Sequence, residues 1–262
     1  MPYANNQGIR IHYEVEGKGP PLVLLHGLGG TLEFWRDLTG YVEALKSDHR
    51  LILIDARGHG ASDKPHDPEA YRVELMVADV VSVLDDLGIS KAHFLGYSMG
   101  GLIGWGIAKY APERFHSLMI GGAIRGETTE SDRAKPNPYS ELFRQGMKAT
   151  LAALEQMFGE WWSPALKAQF ARNDLEALAA VFSPKERPDF GDVGPEELYP
   201  NMALPCLVWV GEADDDAYSH RQYIDLIPNA TFVALPGLDH VDACYRLDLV
   251  LPHIRKFLAE VG

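Results

Sequence analysis

The chain has 262 residues, 46% of them hydrophobic and 23% charged, which is typical of a globular protein with a large core. A formal net charge of −13 argues against nucleic acid or an anionic membrane as a partner. No apolar run approaches the roughly 18 residues of a membrane-spanning helix, and the polar start at Met1–Asn6 predicts no export leader.

Apolar segments along the chain predict β-strands. Ile9–Glu16 alternates apolar and polar residues, which is typical of an edge strand with one face in water. Leu22–Leu25 is apolar on both faces, as a central parallel strand is. The same character recurs in five later runs: Leu51–Ile54, Ala92–Leu95, Ser117–Ile120, Cys206–Val210 and Thr231–Leu235.

Segments with helical periodicity lie between these runs. This alternation of strands and helices predicts an α/β fold with a mostly parallel, doubly wound sheet that carries helices on both faces. The predicted helices are Glu33–Lys46, Arg72–Leu87, Leu102–Lys109, Ala217–Ile227 and Val241–Val261.

The alternation stops between about Gly122 and Pro205, where helical segments follow one another. Gln145–Phe158 and Ala165–Phe182 have helical patterns, whereas Glu127–Pro138 and Ser183–Pro200 have the proline and glycine content of loops. We therefore expect an inserted helical block in this part of the chain, not a continuation of the strand repeat.

Two cysteines, Cys206 and Cys244, are too few for a disulfide framework and favour a reducing compartment. Cys206 lies within an apolar strand, so neither a redox nor a nucleophilic role is predicted for it. The expected location is the cytoplasm.

The most informative segment is Gly96-Tyr97-Ser98-Met99-Gly100, which joins a predicted strand to a predicted helix. A serine on so tight a turn takes a strained backbone conformation that exposes its hydroxyl, and flanking side chains would collide with the strand and helix. The unpaired N–H groups at the start of the helix can stabilise a developing negative charge. The pattern predicts a nucleophile at Ser98, against the alternative of a passive serine in a glycine-rich turn.

A nucleophilic serine needs a base and a carboxylate that orients the base. His240 follows the last predicted strand and Asp214 follows the strand before it, so the chain order is Ser–acid–His. Asp216 stays open as an alternative acid. Two other histidines, His26 and His59, lie in loops on the same side of the sheet and are interpreted mainly as groups that hold those loops. No metal site is predicted, because the acidic run at 214–216 has no further ligand spacing.

The tetrahedral intermediate of acyl transfer needs N–H donors for its oxyanion. We predict the N–H groups of Met99, which follows the serine, and of Leu28, in the glycine-rich stretch after Leu22–Leu25. The residues predicted to contact substrate are His26, Gly27 and Tyr97, with Trp161 and Trp162 of the inserted helical block.

Together these segments resemble the α/β-hydrolase fold superfamily, and most of all its serine esterases and enol-lactonases. The resemblance covers nearly all of the chain outside the insert. It implies that the inserted helical block is a small cap over the pocket, at 124–202 between strands six and seven, and that residues 1–123 and 203–262 form the core domain. It also implies no cofactor, and a small-molecule ester or lactone as substrate. Dehalogenases and epoxide hydrolases of this fold use an aspartate nucleophile, whereas position 98 is serine. The matching segments are 26–30, 55–63, 96–101 and 211–214, with Asp239-His240.

The predicted function is a serine hydrolase that cleaves carboxylic esters through an acyl-enzyme formed with Ser98, His240 and Asp214. The alternatives are an enol-lactonase, a C–C bond hydrolase, an acyltransferase and a ligand receptor on a hydrolase fold. The cap sequence shows no arginine pair that would bind a carboxylate substrate, which places the lactonase second. A homodimer is left open.

Overall fold

The computed structural model describes residues 2–126, 137–181 and 195–262, and the strands within them form a single eight-stranded mixed sheet. The strands are β1 (Tyr3–Asn6), β2 (Ile9–Glu16), β3 (Pro21–Leu25), β4 (Arg50–Ile54), β5 (Ala92–Tyr97), β6 (Phe115–Gly121), β7 (Cys206–Gly211) and β8 (Ala230–Leu235). Their order across the sheet is β1-β2-β4-β3-β5-β6-β7-β8. The six strands β3 to β8 run parallel, while β1 and β2 are antiparallel to their neighbours.

The prediction of an edge strand at Ile9–Glu16 is wrong, because Tyr3–Asn6 pairs with it and takes the edge. The sequence pattern missed this strand because its inward positions are Ala4 and the polar Asn6. The Asn6 amide donates a 2.8 Å hydrogen bond to the buried Asp79 carboxylate. A polar side chain that is satisfied in this way can face the core without the apolar alternation that marks a strand.

Helices cover both faces of the sheet, as a doubly wound fold requires. The helices of the core are α1 (Tyr41–Leu45), α2 (Val73–Asp86), α3 (Met99–Tyr110), α9 (Asp215–Tyr218), α10 (Asp242–Tyr245) and α11 (Leu247–Val261). Helices α2 and α3 pack into one buried apolar cluster, and α1 and α11 pack into a second cluster on the opposite face. The predicted α/β fold with a doubly wound, mostly parallel sheet is confirmed.

Three predicted helices of the core are interrupted in the structure. Glu33–Lys46 becomes a π-helical turn at Phe34–Leu38 and then α1, because Gly40 between them takes a left-handed conformation with φ of 77°. The predicted helix at 217–227 ends early and continues as a 3₁₀ turn, and the one at 241–261 breaks at Arg246. Apolar periodicity places the buried residues but does not detect these changes of backbone direction.

A helical insert lies between β6 and β7. Its described helices are α4 (Pro138–Arg144), α5 (Met147–Phe158), α6 (Pro164–Phe170), α7 (Leu175–Val181) and α8 (Pro195–Leu198). The predicted helix at 165–182 is divided between α6 and α7. Of the predicted loops at 127–138 and 183–200, the parts at 127–136 and 183–194 lie outside the described residues. The described end of the second is not a loop, because it contains α8. We call this insert the cap.

Within the described ranges, no helix combines the length and apolar character needed to span a membrane.

Candidate active site

Ser98 lies on the sharp turn between β5 and α3, with φ of 53° and ψ of −115°. A non-glycine residue in such a region costs about 1–3 kcal/mol, so the surrounding structure must hold it there. The N–H of Ser98 donates to the Gly121 carbonyl at 2.8 Å, and its carbonyl accepts from Leu102 at 2.9 Å. These two hydrogen bonds hold the backbone of Ser98 to β6 and to α3.

The glycines on either side of Ser98 are needed for close backbone contacts. A Cβ atom on Gly96 would lie 2.3 Å from the Gly100 carbonyl oxygen, and one on Gly100 would lie 2.1 Å from that of Leu25. Both distances are far inside van der Waals contact, and backbone cannot move aside as a flexible side chain can. The spacing of the two glycines therefore follows from how closely the turn packs on itself and on β3.

The structure brings Ser98, His240 and Asp214 into one hydrogen-bonded chain. His240 Nε2 lies 3.0 Å from Ser98 Oγ, and His240 Nδ1 lies 2.6 Å from Asp214 Oδ2. Because a carboxylate can only accept, Nδ1 carries the proton of the neutral ring and Nε2 presents its lone pair to the Ser98 hydroxyl. Asp214 is buried, whereas Asp216 is exposed, so it is Asp214 that contacts the histidine.

Tyr97 supports the segment that carries His240. Its hydroxyl donates a 2.6 Å hydrogen bond to the His240 carbonyl, and the two rings lie 5.5 Å apart. Burial raises the pKa of the Tyr97 phenol well above its usual value, so the hydroxyl stays a donor at any working pH. Tyr97 also lines the cavity next to Ser98, as predicted for a substrate contact.

The predicted oxyanion donors lie on two segments that meet at Ser98. Leu28 is the second residue of a turn in which the Gly30 N–H donates to the Gly27 carbonyl at 3.1 Å. Gly29, the third residue, takes φ of 71°, a conformation that favours glycine. Among the hydrogen bonds of the described residues, none uses the N–H of Leu28 or of Met99. Both groups thus stay free to donate to a ligand.

His26 was predicted as a substrate contact, but its fully buried side chain lies outside the cavity lining. The N–H of Ala56 donates to His26 Nε2 at 3.1 Å, so that nitrogen has no proton. The proton is on Nδ1, which donates to the Gly27 carbonyl at 2.7 Å. Since the C=O of Gly27 and the N–H of Leu28 belong to one peptide and point in opposite directions, His26 orients the Leu28 N–H.

Burial keeps His26 in this neutral form. It lowers the pKa of His26, even though the nearby Asp55 carboxylate acts in the opposite direction. Burial alone would raise the pKa of Asp55, but hydrogen bonds from His12, Ala61 and Leu32 lower it. Asp55 therefore stays ionised and ties β2 to two loops at this end of the sheet.

His59 is expected to make the protein less stable in mild acid. Burial and the neighbouring His26 lower the pKa of His59 to about 3. The unfolded chain takes up this proton below about pH 6.5 and the folded chain does not, so the free energy of unfolding decreases as the pH falls from 6.5 toward 3. At pH 5 the loss is about 2 kcal/mol for this histidine.

Urea unfolding of the wild type and of His59→Gln between pH 7 and 5 measures this effect. The slope of the unfolding free energy against pH is expected to be smaller in the variant by about 1.4 kcal/mol per pH unit. The slope reports the titrating group, whatever the variant's overall stability. An unchanged slope would contradict the lowered pKa of His59 in the folded protein.

A mostly apolar cavity of about 150 Å³ opens above Ser98 and His240. Core and cap both line it. Its described lining residues include His240 but no lysine or arginine. The lining includes the predicted contacts Gly27, Tyr97 and Trp162. Residues that were not predicted also line it, notably Phe34, Phe143, Leu166, Phe170 and Tyr245.

Trp161 does not line the cavity, in contrast to the prediction. Its ring stacks on Tyr245 at 4.7 Å, and its Nε1 donates to Asp242 at 2.6 Å, so it ties the cap to the segment after His240. Tyr245, five residues after His240, was not predicted; its place in α10 depends on the break at Arg246. Among the described residues there is no group of three or more His, Cys, Asp or Glu side chains that could hold a metal ion.

A serine on a strained strand-to-helix turn, hydrogen-bonded to a histidine and an aspartate below a helical cap, defines a protein of the α/β-hydrolase type. A family model described as the alpha/beta hydrolase fold matches residues 20–243, and the chain belongs to this family. The predicted resemblance is confirmed.

Known proteins of several activities are similar to this chain. Epoxide hydrolase 4 of Mus musculus is 39% identical over 44% of the chain and 32% of its own length. The chain spans less than half the length of the first curated relatives that it matches. The esterase RhEst1 from Rhodococcus sp. ECU1013 is 28% identical with a TM-score of 0.78, covering 99% of this chain and 98% of that one. The enol-lactonase from Burkholderia xenovorans LB400 is 26% identical with a TM-score of 0.81, covering 98% and 100%.

Proposed function

We propose that the protein is a serine hydrolase that cleaves carboxylic esters of small, uncharged molecules through an acyl-enzyme. The observation that carries the proposal is the continuous hydrogen-bonded chain from Ser98 through His240 to Asp214, which opens into an apolar cavity. The similarity to a solved esterase along nearly the whole chain supports it. Ser98, where epoxide hydrolases of this fold have aspartate, supports ester chemistry over epoxide opening.

In the proposed mechanism, His240 Nε2 takes the Ser98 proton as Oγ attacks the ester carbonyl. Asp214 holds the ring in the required tautomer and stabilises the imidazolium that forms. The N–H groups of Leu28 and Met99 donate to the tetrahedral oxyanion, and His240 then protonates the leaving alcohol. Water attacks the acyl-enzyme by the same route, with His240 as its base, and releases the acid and free Ser98.

The cavity supports a preference for small substrates. Its volume of about 150 Å³ is close to that of an apolar site that holds a benzene-sized molecule, and drug-sized ligands need about 300–1,000 Å³. Aromatic and aliphatic side chains surround this space. We therefore propose short aliphatic or single-ring acyl groups as the ones that bind best.

A panel of p-nitrophenyl esters with acyl chains from acetyl to dodecanoyl, measured beside simple lactones, tests the proposal. We expect the highest kcat/KM for short acyl chains and covalent labelling of Ser98 by a fluorophosphonate probe. Labelling without turnover of any ester would favour acyl transfer or ligand sensing. The absence of both labelling and turnover would reject a serine hydrolase.

An enol-lactonase is the second candidate, because the chain is similar along its full length to a solved enol-lactonase. The described lining provides no lysine or arginine to pair with a substrate carboxylate, and this favours uncharged esters. A higher kcat/KM for a carboxylate-bearing lactone than for every ester in the panel would reverse this order.

Phe158→Ala is expected to shift the preferred acyl chain to a longer one. Phe158 lines the cavity from the end of α5, and its ring lies 5.3 Å from that of Trp162, so its removal lengthens the apolar space. We expect kcat/KM for octanoyl relative to butanoyl esters to rise about 15-fold, because each buried CH₂ contributes about 0.8 kcal/mol and the space freed by the ring buries about two of the four additional CH₂ groups. Gln156→Ala, exposed on the same helix, is the matched control and should leave the ratio unchanged.

A further inference from the structure

The end of α6 and the residues after it hold the segment that contains Leu28. Asn173 Nδ2 donates to the Gly29 carbonyl at 2.8 Å, and the Gln169 amide donates to the Thr31 hydroxyl. The Phe170 ring lies so close to Gly29 that a Cβ atom there would be 2.2 Å from Cε2. These contacts join the cap to the loop at 26–31 of the core, which we call the donor loop.

The core and the cap each hold one carbonyl of the same turn. On the core side, His26 Nδ1 donates to the Gly27 carbonyl. On the cap side, Asn173 donates to the Gly29 carbonyl, two peptide units farther along. The Gly29 carbonyl shares its peptide with the Gly30 N–H, which donates to the Gly27 carbonyl at 3.1 Å. Asn173 therefore acts on the peptide that carries the Leu28 N–H through this hydrogen bond.

Two contacts from the cap hold the Gly29 peptide. The Phe170 ring packs against Gly29, and Asn173 donates to its carbonyl. Beyond Gly29, Thr31 of the donor loop lines a cavity of about 250 Å³ together with Gln169 and Asn173. The ring contact limits the position of Gly29, whereas the hydrogen bond from Asn173 sets the direction of its carbonyl.

We propose that Asn173 is a positioning residue for the oxyanion donor at Leu28, with Gln169 in a lesser supporting role. Because Asn173 belongs to the cap, correct placement of the Leu28 N–H then depends on the cap being docked on the core. Leu166 and Phe170 of the same helix line the substrate cavity, so the helix that contacts the acyl group also holds the donor loop. This inference rests on the proposed function.

Asn173→Asp tests the role of Asn173, because it keeps the shape of the side chain and replaces the donor with an acceptor. Loss of a whole oxyanion donor costs about 10²–10³-fold in kcat, and we expect misplacement to cost about 10–100-fold. KM should change less than 2-fold, because a ground-state carbonyl gains little from this donor.

The second readout is the affinity for a trifluoromethyl ketone, which adds Ser98 to form a tetrahedral oxyanion. Its inhibition constant should rise by the same factor as kcat falls. A purely structural role would lower the thermal midpoint without this matched loss. Lys167→Ala is the control and should change neither parameter, because Lys167 is exposed on the same helix and forms an ion pair with the exposed Glu155 at 3.7 Å.

Thr31→Val provides a second test if Asn173→Asp does not fold. It is close in shape, lies in the core, and removes the hydroxyl that the Gln169 amide contacts. A smaller loss in the same two parameters is expected. Wild-type ester turnover with unchanged kcat and inhibition constant in both variants would overturn this inference and leave the proposed function standing. A wild type without turnover or labelling would instead remove the proposed function.

Discussion

Ser98→Ala is expected to lower kcat for p-nitrophenyl butyrate by about 10⁶-fold and to abolish labelling by a fluorophosphonate, because the hydroxyl that attacks the ester in the proposed mechanism is removed. Stopped-flow and steady-state assays of the purified variant measure the loss, and intact-mass spectrometry measures the adduct. Alanine is as strained as serine at φ of 53°, so the backbone of the turn should not relax.

Two controls separate chemistry from folding for this variant. Ser90→Ala, at an exposed position before β5, should retain full activity. Ser98→Gly should be as inactive as Ser98→Ala but more stable by about 1 kcal/mol, since glycine removes the strain of a positive φ. Ester turnover in Ser98→Ala within 100-fold of the wild type would disprove the nucleophile assignment.

Asp214→Asn is expected to lower kcat by about 10⁴-fold while leaving the structure of the site intact. Asparagine can present its NH₂ group to His240 Nδ1, and the ring then carries its proton on Nε2, where it cannot accept from Ser98. Its carbonyl oxygen can still accept from the Ala217 N–H as Asp214 Oδ1 does, so the start of α9 should be kept.

Asp216→Asn is the matched control, since Asp216 is an exposed carboxylate two residues away. It should change kcat less than 2-fold. Equal losses in the two variants would mean that the acidic segment acts through its charge and that Asp214 does not set the tautomer. Loss in Asp216→Asn alone would transfer the role of the acid to that residue.

The turn at Ser98 could be predicted from the sequence because its requirements are local. Two glycines spaced around a serine, after an apolar strand and before a helix, satisfy a geometry that extends over only a few residues. The parallel sheet and the helical insert could also be predicted, because both follow from where strand-like and helix-like patterns of apolar residues alternate along the chain and where they stop alternating. The family resemblance depended on these same local patterns.

Other features depended on contacts between residues far apart in the chain. Asp214 and Asp216 are residues of the same type, two positions apart in the sequence. The pairing of β7 with β8 places the segment after β8 where Asp214 contacts His240. Tyr3–Asn6 forms a strand because a buried partner 73 residues away satisfies Asn6. Sequence periodicity carries no information about such partners.

Short-range patterns in the sequence are enough to predict the α/β fold, the position of the serine turn and the order of its proposed partners. Three contacts became visible only in the folded protein: His26 orients a backbone peptide, Trp161 ties the cap to the core, and Asn173 reaches the donor loop. Each of these roles is defined by which atom a side chain meets across the fold. That pairing is set when the cap and the loops pack together.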